Sequence, residues 1–305
     1  MSLLVTGSIG IDTVKTPHGQ VGNVPGGSAI YFSWAAAMFG KVRLVGVVGD
    51  DFPRSFEFCL KHPNIDIRGL ERRRGSKTFR WSGRYDATMN EAQTTAVDLN
   101  VLAEKAPVIP AAFADSTMVF LAATHPALQM QLLSQVKKPR LVVADTRDLW
   151  IKNYRADLMK SLKSVDGLVL NDLEARLLTD KVNLVAALHD IRKLLQKSGP
   201  QLVIIKKGEH GCLASYEGSL LAMPAYPTTD VVDPTGAGDS FAGGVLGCLA
   251  GKKTWSLGSL KESLVAGTVM ASFTIADFSL GGLRKATRQQ VRDRLGNMRK
   301  MLSAY

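Results

Sequence analysis

Val231-Val232-Asp233-Pro234-Thr235-Gly236-Ala237-Gly238-Asp239-Ser240-Phe241-Ala242-Gly243-Gly244 is the stretch on which the reading of this chain turns. Two β-branched residues read as a strand entering a turn of Asp, Pro and Gly, and the small residues beyond it predict a helix running to Leu249. At a helix start, Gly236, Ala237 and Gly238 present backbone N–H groups with little side chain in the way, and the helix dipole adds positive potential. Such a turn is an anion site. The next residue, Asp239, would repel an anion that was merely held. It makes sense if the carboxylate takes the proton of a hydroxyl that attacks phosphorus, since a loose phosphoryl-transfer transition state asks little of its base. The helix N-terminus is expected to depress its pKa. A capping acid among glycines needed for tight packing is the plainer alternative.

Two other glycine motifs are excluded residue by residue. A dinucleotide fingerprint needs glycine where Phe241 stands, and a Walker loop needs Gly-Lys-Ser/Thr, which Gly251-Lys252-Lys253-Thr254 does not supply.

Away from the turn, short apolar runs recur at Leu3–Gly7, Leu44–Val48, Met118–Leu121, Leu141–Ala144, Gly167–Leu170 and Leu202–Ile205. Segments of helical period lie between them, such as Asn183 to Gln196 with Leu184, Val185, Leu188, Ile191 and Leu194 on one face. Continuously apolar strands alternating with helices predict an α/β fold, with a mostly parallel sheet covered on both faces. Lys77 to Tyr85 breaks the rhythm: Phe79, Trp81 and Tyr85 alternate with Arg80, Ser82 and Arg84, the period of a strand with one apolar face. Together with residues 11–24, residues 77–95 are expected to form a small β-sheet acting as a lid or a dimer contact, or else an ordinary edge hairpin. No linker divides the chain, so residues 1–305 are expected to be one domain.

Composition bounds the function classes. With 305 residues the chain can bury roughly three quarters of its unfolded surface, so its core needs no disulfide or structural metal. Cys59, Cys212 and Cys248 fall in no metal-binding or disulfide spacing, which fits a reduced, cytoplasmic protein. No apolar run approaches the roughly 18 to 20 residues of a membrane span. The net charge of +11 admits nucleic acid, an acidic membrane or a polyphosphate as partner. Much of it sits on Arg284, Lys285, Arg288, Arg292, Arg294, Arg299 and Lys300, where Val291, Leu295, Met298 and Leu302 make one helical stripe. A solvated basic face is the ordinary explanation, because no aromatic residue is there to stack on bases before Tyr305. The histidines form no metal-binding pair, and His125 and His189 read as structural.

The segment Asp-Pro-Thr-Gly-Ala-Gly-Asp-Ser-Phe-x-Gly-Gly at 233–244 resembles the second signature of the PfkB/ribokinase family of ATP-dependent sugar and nucleoside kinases. The resemblance runs in order from about residue 3 to residue 282. Gly7–Asp12 is similar to the family's first strand with its substrate-contacting aspartate, Pro25–Ala29 to its glycine pair, and Val45–Phe52 to its G-x-x-G-x-D segment. Asn171-Asp172-Leu173-Glu174 resembles the N-x-x-E motif, and Lys206–Gly211 the nucleotide loop with Gly208 and Gly211.

The resemblance implies a ribokinase-like kinase that moves the γ-phosphoryl group of ATP to a primary hydroxyl of a sugar. A nucleoside kinase and a non-catalytic sugar- or nucleotide-binding protein of the same fold are the alternatives. It implies that Asp239 is the base, that the amides of Gly236, Ala237 and Gly238 form the anion hole, and that Asp12, Gly26 and Gly27 hold the acceptor. Asn171, Lys206, Gly208 and Gly211 would contact ATP, and Glu174 would hold the water shell of Mg²⁺. Asp233 and Thr235 would belong to a K⁺ loop, with simple turn chemistry as the other reading, and no nucleic-acid or membrane partner is implied. Asn171 and Glu174 equally fit a helix capping box, and Gly208–Gly211 a hairpin turn. Tyr31 stands where the family's sugar kinases place asparagine, and Ser28 where ribokinases carry lysine. Those departures leave the sugar undefined, while Phe79, Trp81 and Tyr85 could stack on a base. Ala266-Gly267-Thr268 falls where the family has its adenine-side loop.

Overall fold

The computed structural model describes residues 1–195 and 201–303, so Gln196 and Tyr305 lie outside the described residues. The first half of the chain runs β1 (Leu3–Thr6), β2 (Gly10–Thr16), β3 (Gly19–Gly26), α1 (Ser28–Ala37), β4 (Val42–Gly49), β5 (Ile65–Arg73), β6 (Phe79–Tyr85), β7 (Ala92–Asp98), β8 (Met118–Leu121) and α2 (Pro126–Leu133). Next come β9 (Leu141–Asp145), α3 (Asp148–Asn153), α4 (Arg155–Leu162), β10 (Gly167–Asn171), α5 (Asp172–Thr179), α6 (Leu184–Leu194) and β11 (Leu202–Lys206). The chain ends in β12 (Cys212–Tyr216), β13 (Ser219–Met223), α7 (Ala237–Ala250), α8 (Leu257–Thr274), α9 (Gly281–Lys285) and α10 (Arg288–Leu302).

The main sheet has nine strands in the order β13-β12-β11-β10-β9-β8-β1-β4-β5. Pairing is parallel from β11 through β5, and β12 and β13 extend the sheet antiparallel. Successive residues of a strand face opposite sides, so a strand buried on both reads as an unbroken apolar run. In β10, Val169 joins the core on one face of the sheet while Leu168 and Leu170 join the core on the other. Truncating Leu168, which is fully buried, to alanine would cost about 2–5 kcal/mol. The α/β expectation therefore holds, strand by strand, for the runs named above.

Helix α7 lies between α1 and α8, with Phe241, Val245, Leu246 and Leu249 buried. Its small residues let the backbones approach closely: a Cβ on Gly243 would lie 2.3 Å from the carbonyl oxygen of Phe32. Val231-Val232 is not a strand. Their stretch is irregular and is tied to the end of α8, where the amides of Val232 and Asp233 both donate to the carbonyl of Ile275. Ala266-Gly267-Thr268 is not a loop either but the buried middle of α8, where Gly267 meets Phe241 and Val245 of α7.

A second sheet, ordered β3-β2-β6-β7, stands apart from the first. Val14, Phe79 and Trp81 form its own small core, which uses up the alternating apolar face of β6. Trp81 also donates from Nε1 to Thr94 Oγ1 at 3.1 Å. Phe79 and Trp81 are thus not available to stack on a ligand, whereas Tyr85, the last residue of β6, is half-buried.

The basic C-terminal stretch is only partly a solvated face. Val291 and Met298 bury α10 against the body of the fold, Arg294 lies 3.9 Å over the ring of Phe273, and Arg284 lies 4.1 Å over Phe58. The other basic residues of that stretch are exposed. Among the described residues no helix is long and apolar enough to cross a membrane.

Candidate active site

The C-terminal ends of parallel strands and the helix N-termini that follow them share one edge of an open α/β sheet, the edge where ligands bind. Here that edge collects Asp145 at the end of β9, Asn171 at the end of β10 and Lys206 at the end of β11. Asn171 and Lys206 are direct neighbours in the strand register.

The turn that opens α7 faces the same space. Gly236 is the N-cap at φ +77°, a conformation that favours glycine, and a Cβ there would lie 2.3 Å from the ring of Tyr31. Tyr31, fully buried on α1, is therefore the floor under the turn. The amide of Ala237 donates to the carbonyl of Pro234 at 3.0 Å, so it is consumed within the turn. Among the described residues, the amides of Gly236, Gly238 and Asp239 have no acceptor in the chain. The set of amides open to an anion is thus shifted from 236–238 to Gly236, Gly238 and Asp239.

Asp239 departs from the local expectation. Its pKa is pushed up to about 7, because burial and the neighbouring Asp145 outweigh Lys206 and Arg147. The helix dipole acts within one turn, whereas desolvation depends on everything around the carboxyl group. An acid that titrates near neutrality is a better proton acceptor than the dipole argument alone allows.

Lys206 is the cation of this cluster. Its Nζ lies 3.4 Å from Asp145 Oδ2 and 3.0 Å from the position a Cβ would take on Gly238. Burial works against the ammonium, but Asp145, Glu174 and Asp239 overcome it and hold its pKa above the ordinary value. Glu174 is pushed up to about 7, chiefly by burial and then by Asp145, with Lys206 opposing. Asp145 is likewise raised by burial, against the pull of Lys206. Three carboxylates thus surround one ammonium, and burial raises the pKa of each of them.

Asn171 and Glu174 form the capping box of α5: Glu174 N–H donates to Asn171 Oδ1 at 2.7 Å, and Asn171 N–H donates to Glu174 Oε2 at 2.8 Å. The cap reading of N-x-x-E is thus formed in the structure, and Glu174 also borders the acidic cluster. Oxygen donors such as these suit Mg²⁺, which keeps much of its water and binds through substrate phosphates plus one or two carboxylates. Among the described residues no three His, Cys, Asp or Glu side chains are placed to hold a metal ion directly.

On the other side of the turn, Asp12 of β2 is buried, and its Oδ1 has no partner among the described residues. Burial and then Asp233 push its pKa up to about 7, with Asp239 adding and Arg147 opposing. Gly26 lies against this carboxylate, where a Cβ would lie 1.8 Å from Asp12 Oδ2, and the backbone of Gly27 favours its charged form. Ser28 is a clamp, its Oγ accepting from Ser8 N–H at 3.1 Å while its own N–H donates to Ser8 Oγ at 2.9 Å. A buried carboxylate with one free oxygen is suited to accept hydroxyl hydrogen bonds.

Asp233 is satisfied by the chain itself. Its Oδ1 accepts from Thr235 N–H at 2.9 Å and its Oδ2 from Ser279 N–H at 3.4 Å, which is turn chemistry. Gly208 and Gly211 lie at the hairpin between β11 and β12, closed by Lys207 N–H donating to the carbonyl of Gly211 at 2.7 Å. That hairpin lies beside the cluster because Lys206 ends β11.

Sequence reasoning missed Asp145 and Arg147. Asp145 ends an apolar strand, and Arg147 stands exposed just beyond it, acting electrostatically on Asp12, Asp145, Glu174 and Asp239. Polar residues closing a buried parallel strand were the available signal. His125 is structural, capping α2 with Nδ1 accepting from Ala127 N–H at 3.1 Å.

Free amides at a helix N-terminus, an acid titrating near neutrality and a lysine among carboxylates are groups that phosphoryl transfer can use. Residues 2–284 match the pfkB family of carbohydrate kinases. The chain belongs to that family, whose members are ATP-dependent kinases. It is 32% identical over 253 residues to the cytidine kinase of Thermococcus kodakarensis, covering 81% of this chain and 87% of that protein. Its ribokinase-like fold matches the nucleoside kinase of Burkholderia thailandensis in complex with inosine, with a TM-score of 0.76 at 20% identity, covering 97% and 98% of the two chains. An Escherichia coli structure described as ribokinase II, in complex with ATP and Mg²⁺, matches with the same TM-score of 0.76 at 18% identity, covering 97% and 99%.

Proposed function

We propose that this kinase transfers the γ-phosphoryl group of ATP to the 5′-hydroxyl of a nucleoside, with cytidine the first acceptor to test. The transfer chemistry rests on one observation: Asp239 and three free amides stand together at the N-terminus of α7. The choice of a nucleoside over a free sugar is supported by the 32% identity to a cytidine kinase over most of both chains.

In this reading Asp12 accepts hydrogen bonds from the ribose hydroxyls, which orients the primary hydroxyl toward the turn. Asp239 receives the proton of that hydroxyl as the phosphoryl group moves. The amides of Gly236, Gly238 and Asp239, with the ammonium of Lys206, stabilise the negative charge on the transferred group, an arrangement worth about 3–4 kcal/mol per well-placed donor. Asn171 and the hairpin at Gly208 and Gly211 flank the nucleotide. Mg²⁺, carried by the phosphates, would neutralise charge between the β and γ groups, and Glu174 would hold its water shell. Asp233 accepts two amides in the turn, and its remaining lone pairs leave room for the monovalent cation that the resemblance implies beside Thr235.

The second sheet is the lid. Its residues 11–24 and 77–95 cover the acceptor side, and closure excludes water that would otherwise take the phosphoryl group.

A panel of cytidine, adenosine, inosine, ribose and fructose, scored for ADP release, tests the assignment. We expect kcat/KM for cytidine to exceed that for either free sugar at least about 100-fold, since the base adds contacts a sugar lacks. Equal or higher kcat/KM for fructose overturns the nucleoside assignment and leaves a sugar kinase.

A further inference from the structure

One contact links the second sheet to the turn before α7 across 150 residues of sequence: Thr235 Oγ1–H donates to the phenolic oxygen of Tyr85 at 3.3 Å. Thr235 immediately precedes Gly236, the N-cap of α7, and its own N–H is fixed on Asp233. Tyr85 ends β6 with its ring against the small core of the lid sheet. Past Tyr85 the same hairpin continues to Asn90, whose Oδ1 lies 3.6 Å from where a Cβ on Gly208 would sit. One hairpin of the lid thus touches first the turn that would hold the transferred phosphoryl group and then the loop that would flank the nucleotide.

We propose that Tyr85 is a positioning residue: it latches the lid to Thr235, so that closing over the acceptor and fixing the anion turn are one event. The inference rests on the reading of the α7 N-terminus as the phosphoryl site and of the second sheet as the lid. The chemistry of the contact supports it. Thr235 is the donor, so the phenolic oxygen of Tyr85 serves the contact as acceptor, within electrostatic reach of Asp233, Arg147 and Asp12 on the acceptor side. An open lid would carry Tyr85 away and release the Thr235 side chain, leaving the turn with only its Asp233 tether. The phenol itself takes no part in proton transfer in this account.

The test is a double-mutant cycle on the whole chain, with Tyr85→Phe, Thr235→Val and the double variant. Steady-state kinetics are measured with the best acceptor of the panel, and hydrogen–deuterium exchange is followed over residues 79–98 without ligands. A neutral hydrogen bond is worth about ten-fold. Each single variant is therefore expected to lower kcat about five- to ten-fold with KM for ATP within about two-fold, and the double variant to be no slower than either single one. Thr235→Ser, which keeps the hydroxyl, should retain wild-type kcat. Exchange in the lid should quicken in both single variants. Multiplicative losses in the double variant, or Tyr85→Phe with wild-type kcat and lid exchange, overturn the latch. The exchange arm reads the lid directly, so a chain that phosphorylates nothing in the panel contradicts the functional reading while the latch is still decided.

Discussion

Replacing Lys206 by methionine removes the buried ammonium beside three carboxylates while keeping most of the side-chain volume. Lys206 is 18% exposed at its side chain and Asp145 only 5%, so the substitution strands a buried carboxylate. Breaking such a pair by removing one partner costs about 3–5 kcal/mol. An unfolding entropy of about 2.1 cal/mol/K per residue makes each kcal/mol worth roughly 1.5 °C in a chain of 305 residues. The expected loss at pH 8 is thus about 5–8 °C in Tm, read by calorimetry without nucleotide.

The sign of the pH dependence follows from Asp145, whose pKa is already raised by burial and rises further without Lys206. A carboxyl group raised in the folded state binds its proton more tightly there than in the unfolded chain. Its contribution to stability is fully present below the ordinary carboxylate value and is lost as pH rises through the raised one. The deficit of Lys206→Met should therefore shrink steadily as the pH is lowered from 8 toward 5, and Lys206→Met/Asp145→Asn should recover most of the loss at pH 8. A single variant that melts within about 1 °C of wild type at pH 8 would refute the buried pair.

Other outcomes follow from the same geometry. Gly26→Ala would drive a methyl group into Asp12, so kcat/KM for the acceptor should collapse while ATP binding, measured by calorimetric titration, is kept. Glu174→Gln retains an oxygen for the Asn171 amide, so thermal stability should stay near wild type while the Mg²⁺ concentration giving half-maximal rate rises; Glu174→Ala should in addition lose about 1 kcal/mol of helix capping. Equal Mg²⁺ dependence in wild type and Glu174→Gln would remove Glu174 from the metal's surroundings. Asp239 and Glu174 both titrate near 7 in the free enzyme, so kcat/KM should fall about ten-fold for each unit of pH lowered below 6 for every group that must be ionised. A flat profile from pH 5 to 8 would show that neither proton matters.

Much of this was legible in the sequence because burial on both faces forces unbroken apolar strands, and because only glycine fits Gly236 over Tyr31. The order of residues 233–239 announced a helix N-terminus with free amides, and strand β6 of the second sheet announced itself by its period of two. What was not legible depends on contacts between distant parts of the chain. Val231-Val232 has strand residues but finds its hydrogen-bond partner at Ile275, outside any sheet. The small residues at 266–268 resemble a loop, yet they are small because α7 lies against them. Local reasoning assigned Asp239 a depressed pKa from the helix dipole, while its burial beside Asp145 sets the opposite sign. Tyr31 read only as a departure from the family's asparagine, and that its ring supports the turn is visible only once α1 and α7 are packed together.

The central claim is that Asp239 receives the proton of the attacking hydroxyl, and Asp239→Asn tests it with almost no change of shape. The measurement is single-turnover transfer of the γ-phosphoryl group at pH 8, alongside ATP affinity. A positioned general base contributes about 10²–10⁴ in rate, so transfer should slow by that factor while the Kd for ATP stays within a few-fold. Transfer by Asp239→Asn at a rate within about three-fold of wild type would contradict the account.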